Sequence, residues 1–83
     1  MQYLLTYRSL TWAQRGARAL ERAGVTGTVT RVPRQAARRG CGYGLIVTPK
    51  NRDRAVAVLR AAGLSPERMF VREDDGTIRE GAE

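Results

Sequence analysis

The sequence predicts an α+β domain of order βαββαβ, and three observations carry that expectation. Two stretches with helical spacing are each closed by an Ala-Gly-apolar step, Ala23-Gly24-Val25 and Ala62-Gly63-Leu64. Short runs with strand character separate and flank them. The most apolar of these, Leu45-Ile46-Val47-Thr48, lies mid-chain and reads as a central strand. The echo between the two halves suits a split βαβ, the ferredoxin-like two-layer sandwich, with both helices on one face of the sheet.

Taken in order, Tyr3 to Tyr7 alternates, with Tyr3, Leu5 and Tyr7 on one face, and reads as the first strand. Ser9 is suited to cap a helix over about Leu10 to Ala23, because its hydroxyl accepts from a first-turn N–H that has no helical partner. The inward line of that helix is Ala13, Gly16/Ala17, Leu20 and Ala23, small enough to imply close approach to a sheet. Arg15, Arg18 and Arg22 fall on the opposite side, where a solvated face is the simplest reading. Gly24 is the natural stop. A second strand covers about Gly27 to Val32 and ends at Pro33. Residues 34–39 suit one helical turn closed by Gly40. After the third strand, Thr48 or Asn51 is placed to cap a helix over about Arg52 to Ala62, with Ala55, Val58, Leu59 and Ala62 inward and Gly63 as its stop. Arg68 to Glu73 forms the last strand. The expected domain is therefore 1–73, and 74–83 is an acidic tail, flexible or hairpin-like.

At 83 residues a single core is only just sufficient, and 42% hydrophobic content supports a folded chain. No apolar run approaches the roughly 18–20 residues that span a bilayer, and the start lacks the basic and apolar regions of a signal peptide. A cytoplasmic location without membrane association is expected, where a lone thiol stays reduced. The net charge of +7 is uneven: residues 1–60 carry twelve basic groups against Glu21 and Asp53, whereas residues 61–83 carry three against six acidic ones. Such a body attracts anions of any kind.

The chemistry concentrates at Cys41, the only cysteine, in Gly40-Cys41-Gly42 directly after Arg38-Arg39. With no histidine, a Cys-His nucleophile pair is excluded, and one cysteine cannot assemble a structural zinc site of about four ligands. No metal or cofactor is expected. The glycine run matches neither a Walker A loop nor a Rossmann fingerprint. A thiolate is the reactive form of cysteine, and adjacent cations favour it. Arg34, Arg38 and Arg39 are the candidates to stabilise a thiolate or an anionic adduct, with Gly40, Gly42 and Gly44 turning the backbone at the site and leaving the sulfur uncovered. Trp12 and Tyr43 suit packing more than a lid over the site. Specific nucleic-acid binding is not expected: Tyr3 and Tyr7 offer rings on the first strand, but Leu45-Ile46-Val47 offers none for stacking.

Several segments together resemble the selenium/sulfur carrier-like family of small bacterial proteins. They are Tyr3-Leu4-Leu5-Thr6-Tyr7-Arg8-Ser9, the helix ending Glu21-Arg22-Ala23-Gly24-Val25, Pro33-Arg34, and Cys41-Gly42 entering a strand seven residues after Arg34. The resemblance covers about residues 3–73. It implies that Cys41 carries sulfur or selenium as a persulfide or selenopersulfide and passes it to an acceptor thiol, and that Arg34 is the arginine of the family's Pro-Arg step. It also implies a cysteine desulfurase or other donor and an acceptor protein as partners, and a carrier more than a stand-alone enzyme. Two departures stand out. Arg38-Arg39 replace a serine-rich stretch before the cysteine, and Arg31 stands where a second proline is usual. A homodimer through the helix-free sheet face is a further expectation. The alternative is a noncatalytic basic interaction or regulatory module in which Cys41 is a structural residue.

Overall fold

The computed structural model describes residues 1–32 and 42–80. Strands β1 (Gln2–Tyr7), β2 (Thr28–Arg31), β3 (Tyr43–Val47), β4 (Arg68–Arg72) and β5 (Ile78–Glu80) form one sheet of order β2-β3-β1-β4-β5. Every neighbouring pair is antiparallel. Helix α1 (Leu10–Arg22) follows β1, and α2 (Arg52–Ala61) follows β3 after a 3-10 turn over Pro49–Asn51. β1 is the middle strand, with Leu5 opposite Leu45 on one side and Met69 on the other.

Side chains directly opposite one another in an antiparallel pair share a face. Leu5, Tyr7, Leu45, Val47 and Met69 therefore form one side of the sheet, and they pack in a single cluster with Ala13 and Leu20 of α1 and Ala55 and Leu59 of α2. Both helices thus cover the same face. α1 lies close because its stripe is small: a Cβ on Gly16 would come within 2.9 Å of Leu45 Cδ1 and 3.3 Å of Leu59 Cδ2. Arg15, Arg18 and Arg22 are exposed on its outer side. Leu4, Phe70 and Val32 form a second, smaller cluster on the opposite face, with Ile46 and Ile78 beside it. These three are already buried within the single chain, so no second copy is needed to shelter them.

The two Ala-Gly-apolar echoes are a matched pair of helix ends. Gly24 takes φ +75 while its N–H bonds Glu21 O and that of Val25 bonds Leu20 O. Gly63 takes φ +73, with the same bonds from Gly63 to Arg60 and from Leu64 to Leu59. Each satisfies late-helix carbonyls through a left-handed residue that glycine adopts without a Cβ penalty. Ser9 caps α1 as expected, its Oγ accepting from Trp12 N at 3.3 Å. Neither Thr48 nor Asn51 makes a side-chain cap bond.

The acidic tail departs from the flexible alternative over its first part. Residues 73–77 make a turn at Gly76 (φ +89), closed by Glu73 N to Thr77 O at 2.8 Å and by Asp75 Oδ1 accepting from Thr77 N. Hydrogen bonding from Thr77 holds the Asp75 carboxyl below its usual range. β5 then pairs β4, with Arg68 to Glu80 at 2.7 Å and Arg79 to Glu73 at 2.9 Å across the hairpin. The sheet therefore has five strands where four were expected.

Tyr7 is 4% exposed beneath the helices, and its hydroxyl donates to Leu64 O. Burial pushes its phenol up to about 12. Below pH 10 the phenol is protonated in both folded and unfolded chains. Between pH 10 and about 12 the unfolded chain releases that proton and the folded chain retains it, so stability falls as pH rises. The loss attributable to Tyr7 is expected to be about 2–3 kcal/mol. Tyr7→Phe should remove this part of the alkaline slope in denaturant titrations from pH 9 to 12. It should also cost about 1–3 kcal/mol at neutral pH through the orphaned Leu64 carbonyl. Identical alkaline slopes in the two proteins would refute the assignment.

Candidate functional site

The site is built from the β2–β3 connection. β2 pairs β3 from Thr28↔Ile46 to Arg31↔Tyr43, and Val32 N donates to Gly42 O at 3.0 Å just beyond the last pair. The residues flanking segment 33–41 are thereby held together at the end of the ladder. Cys41, Arg34, Arg38, Arg39 and Gly40 lie outside the described residues, as do Pro33 and the helical turn expected over 34–39. Gly42, covalently joined to Cys41, is described and buried.

Gly42 and Gly44 differ in how closely they are packed, and neither adopts positive φ. A Cβ on Gly42 would sit 3.5 Å from Tyr7 O and 3.7 Å from Val32 Cβ, which is ordinary contact. This places Gly42 against the end of β1, two residues before the Ser9 cap of α1. Gly44 is not part of a turn. It lies inside β3 opposite Thr6 and Thr30, where a Cβ would come within 2.7 Å of Leu5 O and 2.9 Å of Leu4 Cδ1. Its missing side chain lets β3 approach β1 and leaves room for Leu4.

The aromatic residues divide in a way the sequence did not resolve. Tyr3 and Tyr7 turn toward the helices, and Tyr43 is half-buried on the same side with Arg31 over its ring at 6.0 Å. Phe70 is the ring on the helix-free face, and it is 5% exposed with Arg68 over it at 5.3 Å. The sheet therefore presents no exposed stacking platform among the described residues. Trp12, expected to pack, is instead 40% exposed in the first turns of α1, with Arg15 over its ring at 5.4 Å. Beside it is a shallow hollow of about 260 Å³ lined by Tyr7, Arg8, Leu64, Ser65 and Glu67, with Arg8 and Glu67 paired at 3.2 Å. The signal available in the sequence is helical phase, since Trp12 lies off the inward line of Ala13, Gly16/Ala17, Leu20 and Ala23.

No helix among the described residues is long and apolar enough to cross a membrane. Among the described residues no group of three or more His, Cys, Asp or Glu side chains could hold a metal ion. Compared with known proteins, residues 2–71 match the model of a family described as "Putative Se/S carrier protein-like". No curated protein and no solved structure matches the chain.

Proposed function

The chain belongs to this selenium/sulfur carrier-like family, and from that premise we propose that Cys41 carries sulfur or selenium as a persulfide or selenopersulfide. The observation that carries the reading is the family match across residues 2–71, which spans the chain's only thiol. In loading, the Cys41 thiolate attacks the terminal sulfur of a donor persulfide, R–S–SH. The Cys41 S–S bond forms, the donor S–S bond breaks, and the donor leaves as its thiolate with the terminal proton retained on the carried sulfur. Unloading is the same exchange with an acceptor thiolate attacking the terminal atom. No net oxidation occurs in either step. A selenium cargo follows the same course with a terminal selenium.

Arg34, Arg38 and Arg39 favour the thiolate and the anionic adduct by charge, while Gly40 leaves both partners room for in-line approach. The bond between Val32 and Gly42 supports this reading, since it anchors the residue next to Cys41 at one end of a rigid ladder. The partners are a cysteine desulfurase or another sulfur or selenium donor and an acceptor protein. A reducing cytoplasm would keep the resting thiol free. The interleaved strand order supports reading the four strands β1–β4 as the ferredoxin-like arrangement, with β5 an addition at one edge.

Incubation with a desulfurase and cysteine is expected to add one sulfur mass that reductant removes and that Cys41→Ser never acquires. Alkylation of native Cys41 should be fast near neutral pH and slow when Arg38 and Arg39 are both changed to glutamine. A thiol that reacts only after denaturation would leave Cys41 a structural residue and end the carrier reading.

A further inference from the structure

We propose that the arginine side of α1, with Trp12 at its N-terminal end, is the surface on which the sulfur-donating protein docks through an acidic patch. The proposal rests on the carrier reading for the identity of the partner. Its physical basis is the helix itself. Arg15, Arg18 and Arg22 recur at three- and four-residue spacing, so they line one exposed stripe. Arg18 and Arg22 form no ion pair with any described residue, and Glu21 is the one acidic residue of α1.

Charge alone would leave this a solvated face. Trp12 changes the reading: it is the only tryptophan, and it is 40% exposed. A large ring kept in water beside a guanidinium has the composition that concentrates binding energy at protein interfaces, where tryptophan and arginine are the favoured anchors. The hollow next to it, bounded by Leu64, Ser65 and Glu67, is of a size to receive one partner side chain. Gly42, the described residue next to Cys41 in sequence, lies on the same side as this surface. Gly42 rests against Tyr7 O, and the chain runs from Tyr7 directly into the Ser9 cap and the turn that holds Trp12.

An acidic protein fits this surface better than a single-stranded nucleic acid. Nucleic-acid strands need successive rings on which bases stack. Here one ring is exposed and Arg15 already covers part of it, while Phe70 on the open sheet face is buried. A protein needs one anchor and a complementary field, which steers encounter and weakens with salt.

The test separates docking from thiol chemistry by measuring binding on Cys41→Ser, which cannot be loaded. A cysteine desulfurase titrated calorimetrically onto Cys41→Ser is expected to bind more weakly as salt rises. The further changes R15E, R18E and R22E together should weaken it at least tenfold, and Trp12→Ala at least threefold. Trp12→Phe should retain most of the affinity, and circular dichroism should show each variant folded. In the Cys41 background, the triple variant should lose desulfurase-driven loading about tenfold while loading by inorganic polysulfide stays within twofold. If neither donor loads Cys41 yet the desulfurase still binds through α1, the carrier reading falls and the docking surface stands. Affinity within twofold of the parent in the triple variant would overturn the proposal, as would equal losses with desulfurase and polysulfide. So would submicromolar binding of single-stranded RNA at about 0.15 M salt that the triple change abolishes while desulfurase binding is unaltered.

Discussion

Gly44→Val is expected to leave the chain largely unfolded, and Gly44→Ala to cost about 2–3 kcal/mol. Two effects oppose each other at this position. Glycine is a poor strand residue, and a β-branched replacement would ordinarily gain up to about 1 kcal/mol. Against that, the first side-chain atom would lie 2.7 Å from Leu5 O and 3.4 Å from Leu5 C, both backbone atoms of the central strand. Backbone cannot rotate aside as a side-chain end can, so relief requires β3 to part from β1. The Leu5↔Leu45 and Thr6↔Gly44 register would be disturbed at once. A domain of this length has a total stability of about 4–12 kcal/mol, so the alanine variant should survive and the valine variant should not. Urea titration followed by circular dichroism measures both. A Gly44→Ala protein as stable as the parent would contradict the packing described.

Leu20→Ala is expected to lose about 3–4 kcal/mol and to lower Tm by about 15–25 °C. The reason is specific to α1. Its buried positions are Ala13, Gly16 and Leu20, so Leu20 is the one large aliphatic side chain it contributes to the core. Ala13 and Gly16 provide closeness and little area. Leu20 is wholly buried, and it also receives the chain that leaves the helix, since Val25 N bonds Leu20 O at 2.9 Å. Truncation removes both apolar burial and the body against which Gly27 closes, where a Cβ would be 2.6 Å from Leu20 Cδ1. The same substitution at the half-buried Val58 of α2 should cost distinctly less. Equal losses at the two positions would show that Leu20 is not the anchor of α1.

The parts of the fold legible in the sequence are those fixed by local chemistry. Ser9 and the two Ala-Gly steps bound α1 and α2 because a hydroxyl cap and a left-handed glycine act within a few residues. The alternation of Tyr3, Leu5 and Tyr7 likewise puts those side chains on one face, which the structure turns toward the helices. What escaped depends on distant partners. β5 is only three residues, Ile78 to Glu80, and it is tied to β4 by Arg68 and Glu80, an ion pair invisible in a tail that reads simply as acidic. The role of Gly44 depends on the Leu5 carbonyl, far away in sequence, whereas its local Gly-rich context reads as a turn. Cys41 was conspicuous because it is the only thiol.

The central place of β1 bears on how the chain is made. β2–β3 and β4–β5 are hairpins between consecutive strands, and each can close from nearby residues. Neither pairs with the other; β1 stands between them. A ribosome releases β1 long before Tyr43–Val47 and Arg68–Arg72, the two segments that complete its hydrogen bonding. Until then a strand bearing Leu4 and Leu5 has two open edges and nothing to cover its apolar sides, a state that attracts chaperones and other nascent chains. Completing the sheet therefore needs the earliest strand to pair with two segments made later, contacts of high sequence separation that slow folding.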